Sequence, residues 1–405
     1  MNHHTHQPSR RDFLRVGFGS AGVVTLCGTV PTFVSRMAFA KEAGAASRGD
    51  VAADNVLVVV QFSGGNDGLN TVIPYQNAEY VKARPIIAIK DRLLKLNDQL
   101  ALNPGLQGFK ELFDDGQLAV INGCGYPHPN RSHFRSMDIW HTADPNLSTT
   151  TGWLGHYLDH QLHGAANPLN ALNVGQQIPL ALVGDGVPVP SIQNIEDFRI
   201  RADNKAAEQT IRRINADRSA SPALQFLSRQ ATNAIVSADQ VRKISSNYKS
   251  DAAYPVNGLG PQLKLVAQII NGGFGTNVFY CQTGCFDTHA NQVNQHERLL
   301  SETATAIREF HRDLKAKRFA KKVTLMCFSE FGRRVPQNHS GGTDHGAAGP
   351  MFVSGGAVKG GIYGQYPSLT DLDDGDLKYT TDFRRTYATI LEKCLGETFE
   401  TLPFL

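Results

Sequence analysis

Acids, histidines and one arginine recur in this sequence directly after short apolar runs. Asp67 follows Val56 to Phe62, and Ser132 and His133 follow Leu118 to Ile121. Asp287 and His289 follow Asn277 to Tyr280, Glu330 and Arg333 follow Val323 to Phe328, and Asp344 and His345 lie in the next glycine-rich loop. If the runs are strands of one parallel sheet, these loops open on one edge, where open α/β sheets bind ligands. Carboxylates crowded at one edge raise each other's pKa, and a divalent cation removes that penalty by coordinating the anionic forms. A mixed oxygen and imidazole set suits Zn²⁺ or Mn²⁺, whereas an all-oxygen set favours Ca²⁺ or Mg²⁺. Beside such a cation a hydroxyl is a better nucleophile, with Ser132 the candidate and Ser136 its neighbour. Arg333 is expected to clamp an anionic group by paired hydrogen bonds, with Asn66 and His133 also on the substrate.

Each residue also has a plain structural reading. Asp67 in Gly-Gly-Asn-Asp-Gly can shape a turn, and Asp287 can cap the following helix. Glu330 and Arg333 can form an ion pair, and Asp344 and His345 can be loop residues. Their joint placement after separate strands favours a site. His128, His141, His156, His160 and His163 are read as structural or exposed, and Trp140 and Trp153 as core or rim aromatics.

The elements that must position these residues follow from periodicity. Val56 to Phe62 is a continuous β-branched run, the signature of a strand buried on both faces of a parallel sheet. Leu118 to Ile121, Asn277 to Tyr280 and Val323 to Phe328 are three further strands, and Met351 to Val353 is a short one. Leu300, Ala304, Ile307, Phe310 and Leu314 recur at three- and four-residue spacing, so 294–317 reads as an amphipathic helix. A shorter helix is expected around 106–113, and surface helices over about 200–250. Strand, loop, helix, strand at this spacing is a βαβ unit. The expected fold is α/β: a mostly parallel central sheet with helices on both faces, in a single domain over 55–405.

Before it, 1–40 reads as a twin-arginine signal peptide. Ser9-Arg10-Arg11-Asp12-Phe13-Leu14-Arg15 precedes a short glycine-rich apolar stretch, and Ala38-Phe39-Ala40 has the form of a cleavage site. Residues 41–54 are a flexible lead-in. The formal net charge of +3 resides in that leader, where Arg10, Arg11, Arg15 and Arg36 stand against Asp12 alone. The neutral body argues against a nucleic-acid partner, and no apolar run reaches the ~20 residues of a membrane span. Cys27 leaves with the leader, and of the remaining five cysteines Cys281 and Cys285 are spaced closely enough to be considered as a pair.

On Ser63-Gly64-Gly65-Asn66-Asp67-Gly68-Leu69-Asn70, Phe286-Asp287-Thr288-His289, Ser329-Glu330-Phe331-Gly332-Arg333 and Gly342-Thr343-Asp344-His345-Gly346, the chain resembles a known family. This is the twin-arginine-exported bacterial family called domain of unknown function 1501, and the resemblance spans nearly the whole chain. That family is grouped with the alkaline-phosphatase-like superfamily of phosphatases, sulfatases and phosphoglycerate mutases. The resemblance implies an alkaline-phosphatase-like fold, two divalent metals and a Ser, Thr or modified Cys nucleophile acting on phosphate or sulfate esters. Position by position, Asp67 resembles the first metal-binding Asp and Ser132 stands at the nucleophile's place. Asp287 and His289 resemble the pair that holds one metal, and His345, with Asp344, resembles the late His completing that shell. Glu330 stands where the superfamily shows an Asp-His pair, a departure that puts one metal site in doubt. Cys124-Gly125-Tyr126-Pro127 lacks the formylglycine pattern of sulfatases.

The sequence therefore reads as an exported, periplasmic hydrolase of small anionic phosphate or sulfate esters. One or two divalent ions (Zn, Mn, Ca or Mg) are expected, one on Asp67 and Glu330 beside Ser132, the other on Asp287, His289 and His345. Its partner during export is the twin-arginine translocase. The alternative is a catalytically degenerate member of the same fold, acting as a periplasmic binding or assembly protein. A Ser-His hydrolase is disfavoured by the lack of a Gly-x-Ser-x-Gly elbow, and a dehydrogenase by the lack of Gly-x-Gly-x-x-Gly.

Overall fold

The computed structural model describes residues 55–162, 169–187, 189–194, 209 and 248–397. The chain divides into two compact units, and the larger, Arg48–Gly164 with Asn170–Gln193 and Lys249–Leu405, holds every element discussed below. The surface helices expected over about 200–250, the leader and His163 lie outside the described residues, apart from single positions.

The larger unit is built on a nine-stranded sheet: β1 (Val56–Phe62), β2 (Leu118–Gly125), β3 (Ala171–Val174), β4 (Ser191–Ile192), β5 (Val278–Thr283), β6 (Val323–Phe328), β7 (Gly349–Gly355), β8 (Gly361–Tyr363) and β9 (Thr381–Asp382). Their order is β8-β2-β7-β6-β1-β5-β3-β4, with β9 also on β2. β1 lies between β5 and β6, parallel to both, so that Leu57 stands opposite Val278 and Thr324. All seven residues of β1 are buried, Gln61 among them, as a strand covered on both faces requires.

β7 alone runs against its neighbours, antiparallel to β2 and β6. The reversal has a positional consequence. The carboxyl ends of β1, β2, β5 and β6 and the amino end of β7 all open on one edge, so the loop preceding β7 joins the loops that follow the other four.

Alternation along the strands divides the core into two faces. Leu57, Val59, Tyr280, Met326 and Phe328 pack in one cluster with Trp140, Trp153 and Tyr387. There helices α1 (His133–Thr142), α2 (Trp153–Leu162) and α5 (Phe383–Lys393) cover the sheet. Trp140 stacks on Phe383 at 4.2 Å and Trp153 on Tyr387 at 4.3 Å. Elsewhere α3 (Leu259–Gly272) packs against the long amphipathic helix α4 (Gln292–Ala316), whose Leu300, Ala304, Ile307, Phe310 and Leu314 are all buried. The five cysteines beyond the leader are free. Cys281 is buried in β5 whereas Cys285 is exposed in the following loop, so the pair considered from spacing does not form.

Candidate metal centre

The β1 and β5 loops meet at closest range where two glycines follow β1. A Cβ on Gly64 would lie 2.5 Å from the Asp287 backbone nitrogen, and one on Gly65 would strike the Phe331 ring at 2.1 Å. Both glycines also hold positive φ, at 117° and 69°, so the sharp break after β1 needs them twice over. Across the edge, Arg333 and His345 form an antiparallel bridge, reinforced by hydrogen bonds from Gly332 N to Ala347 O and from Gly346 N to Gly332 O. This bridge brings His345 to the loop after β6.

Four side chains converge there. Ligand atoms of His133, Asp287 and His345 all lie within 4.8 Å of one another. His289 adjoins the same group: its Nε2 is 2.9 Å from Asp287 Oδ1 and 3.0 Å from His345 Nε2. His345 Nε2 is in turn 3.2 Å from Asp287 Oδ1. Donors about 2.0–2.1 Å from a common cation lie about 2.8–3.0 Å apart in octahedral and about 3.3–3.4 Å apart in tetrahedral arrangement. The three observed edges therefore have the size a small divalent ion requires.

The protons point the same way. His345 Nδ1 donates to the Arg131 carbonyl at 2.8 Å, and His133 Nδ1 donates to Glu330 Oε1 at 2.8 Å. In the neutral ring each Nε2 is then a bare lone pair. His133 Nε2 faces Asp287 Oδ2 at 3.5 Å, and His345 Nε2 faces Asp287 Oδ1. Lone pairs aimed at a carboxylate repel unless a proton or a cation lies between them. A histidine whose far nitrogen is fixed by a carboxylate or carbonyl is also the usual arrangement behind a metal ligand. Asp344 Oδ1 stands 3.5 Å from His289 Nδ1, a looser version of the same backing. The donor set is thus three imidazoles and one carboxylate, which suits Zn²⁺ or Mn²⁺ better than Ca²⁺ or Mg²⁺.

Charges around the cluster are tuned by burial and partners. Burial opposes ionisation of Asp287, but the hydrogen bond and charge of Arg333 outweigh it and hold the carboxyl below its ordinary value. The Glu330 carboxyl is likewise held low: burial is outweighed by His133, the Gly64 amide and the Ser329 hydroxyl. The hydrogen bond that His133 donates to Glu330 raises the His133 pKa against burial. His345 is lowered, first by burial and then by the nearby Arg333 and His133 charges.

Several expected roles move. Asp67 is not brought to the cluster. It caps a four-residue helix, Gly68–Thr71, and is fully buried: Oδ1 accepts from Leu69 N and Asn70 N, and Oδ2 from Arg84 Nη1 at 2.6 Å and from Gln292. A carboxylate with both oxygens so engaged has no lone pair to offer a metal. Asn66 is buried beside it, its amide bonded to Thr71 and to His296 Nε2, and does not face an incoming ligand. Glu330 and Asp344 stand behind histidines, and His133, expected on the substrate, stands in the cluster where Glu330 was expected. Arg333 is buried and donates to the carbonyls of Gly64, Gly65, Phe286 and Thr343 and to Asp287 Oδ1. It has no fork free for an anionic substrate. Ser136 is buried, its hydroxyl bonded to Tyr126 and to the Glu330 carbonyl. Ser132 is exposed, and as the cap of α1 it makes no capping hydrogen bond with its side chain.

Three participants escaped the sequence reading. Arg131 acts through a backbone carbonyl, which no residue type announces. Arg84 reaches Asp67 from a polar helix with no motif. Phe331 packs against His133 and His345, with ring centroids 4.9 and 4.8 Å away; it lies inside the quoted Ser-Glu-Phe-Gly-Arg motif but carries no chemistry of its own.

An α/β protein with a mostly parallel sheet and a histidine–aspartate cluster at its carboxyl edge is thereby defined. Residues 54–395 match the family described as "Protein of unknown function (DUF1501)", and the chain belongs to that family. Residues 1–38 match a second description, "Ubiquitinol-cytochrome C reductase Fe-S subunit TAT signal", in line with a twin-arginine-type leader. No curated protein matches the chain. Among solved structures it is similar to the lipoteichoic acid synthase LtaP from Listeria monocytogenes, at 10% identity and TM-score 0.34, covering 81% of this chain and 72% of that one. It is also similar to alkaline phosphatase from the Antarctic bacterium TAB5, at 11% identity and TM-score 0.31, with coverages of 76% and 94%. An alkaline-phosphatase-superfamily protein from Vibrio parahaemolyticus matches at 8% identity and TM-score 0.32, with coverages of 82% and 70%. Likeness at these scores carries no argument about chemistry.

Proposed function

We propose that this chain is an exported metal-dependent hydrolase of phosphate or sulfate monoesters, holding a single divalent cation on His133, Asp287, His289 and His345. The observation that carries the reading is the convergence of His133, His289 and His345 on Asp287, in rings whose opposite nitrogens face acceptors of their own. When bound, the cation would draw charge from an ester oxygen and lower the pKa of an adjacent hydroxyl.

The chain's own residues prepare that site. Glu330 and the Arg131 carbonyl keep the protons of His133 and His345 on Nδ1. Arg333 keeps Asp287 ionised and fixes its oxygens. Phe331 excludes water from one side of His133 and His345. Ser132, exposed and directly before His133, is the hydroxyl offered as nucleophile, since that of Ser136 is engaged inside. One or two cations were expected; the engagement of Asp67 with Arg84 and of Glu330 with His133 supports one. The twin-arginine-type leader supports export by the translocase, with the periplasm as destination.

The second reading, a binding or assembly protein on the same fold, draws on one observation: Arg333 already neutralises Asp287 without any ion. Purified protein loaded with Zn²⁺ or Mn²⁺ and offered aryl phosphate and sulfate esters separates the two. Turnover abolished by Ser132→Ala supports the hydrolase. A retained cation with no turnover of either ester favours the binding protein.

A further inference from the structure

A cavity of about 500 Å³ lies beside the cluster. This is within the range of small-molecule sites, about 300–1,000 Å³. Phe331 is common to both: its ring packs on His133 and His345 and also lines the cavity. Ala347, two residues beyond His345, lines it too. The remaining walls are mostly apolar, with Pro127, Pro129, Leu377 and Tyr379 among them.

Two features indicate that the space is built rather than incidental. His128 on the wall holds φ at 56°, a left-handed conformation that costs a non-glycine residue free energy and is retained where surroundings or function require it. Gly125, at the end of β2, leaves room for the Tyr379 side chain, whose Cβ would be 2.8 Å from a Cβ at that glycine. The electrostatics are equally specific. Lys378 lines the cavity but is paired with Asp371 at 2.5 Å, and Asp373 adds a negative charge. The walls therefore suit an uncharged organic group better than a second anionic one.

We propose that this cavity seats the alcohol portion of the ester, and that the substrate is a monoester of an aromatic or similarly flat, apolar alcohol. The proposal rests on the hydrolase reading, and it places the anionic head at the histidine cluster and the organic group across Phe331, against Tyr379. A diester or nucleotide would have to bring further charge against Asp373 or break the Lys378–Asp371 pair.

Calorimetry on the full mature chain tests this with two kinds of probe. 2-Naphthol, which carries no anion and needs no metal, is expected to bind wild type and to weaken at least fivefold in Tyr379→Ala, a change at an exposed rim position. On Zn²⁺-loaded protein, naphthylmethylphosphonate is expected to bind at least tenfold tighter than methylphosphonate, with that preference reduced at least threefold in Tyr379→Ala and methylphosphonate affinity unchanged. Absence of naphthol binding, or equal affinity for the two phosphonates, overturns the proposal. Metal content of the same samples judges the hydrolase reading separately: failure to retain Zn²⁺ removes that reading, while the naphthol titration still decides the cavity.

Discussion

Asp67 and Asp287 occupy comparable places, each in the loop after a parallel strand and each bonded to a buried arginine at 2.6 Å. Asp67 is wholly buried, with four donors on its two oxygens, and faces no unpartnered acceptor. The Asp287 side chain is 45% exposed and, apart from Arg333, is ringed by the imidazole nitrogens of His133, His289 and His345. One carboxylate closes a loop with every lone pair used; the other, beyond its arginine, faces three imidazoles and solvent. Residue type and strand-end position are the same, so what separates the two is how completely the neighbours fill the carboxylate oxygens.

The largest effect that would sharpen this contrast is on stability. Arg84→Met leaves a buried Asp67 charge unpaired, and a loss of about 3–5 kcal/mol is expected in denaturant unfolding. Adding Asp67→Asn should recover part of it, because the two residues are coupled. The same pair sets the acid limb. Burial opposes the ionised Asp67, but Arg84, His296 and Gln292 outweigh it, and the folded pKa lies below the carboxyl's ordinary 3.8. A depressed folded pKa gives stability that is present above the unfolded value and lost as pH falls through the folded one. Stability measured below about pH 4 should therefore fall more steeply in wild type than in Asp67→Asn.

At the open carboxylate the expected effects concern metal affinity. His345→Ala is expected to abolish retention through dialysis, and Glu330→Gln to weaken binding about 10–100-fold by releasing the His133 ring. Asp344→Asn sits at the small end. Its exposed pair with His289 is 3.5 Å long, so a change within about fivefold, or 1 kcal/mol, is expected by titration. A larger loss in Asp344→Asn than in Glu330→Gln would break the assignment of which carboxylate supports which ring.

Much of this was legible before any coordinates. The β1 and β6 ranges, 56–62 and 323–328, coincide with the predicted runs, because strands buried on both faces are nearly all apolar, here broken only at Gln61 and Thr324. α4 spans 292–316 where periodicity places 294–317. Strands β3, β4, β8 and β9 are two to four residues long, too short to leave a pattern. At the site, Asp287, His289 and His345 meet as their motifs suggest. Glu330, Asp344 and Asp67 do not join that cluster, since sequence shows an acid's place on an edge but not which donor reaches it first. The reversal of β7 and the role of the Arg131 carbonyl are properties of chain path, invisible in residue type.

Metal stoichiometry tests the central claim most directly. Folded wild type, Asp67→Asn and His345→Ala are loaded with Zn²⁺, dialysed and assayed for bound metal. One equivalent in wild type and in Asp67→Asn, and none in His345→Ala, is the predicted result. Two equivalents in wild type, none at all, or equal loss in both variants contradicts it.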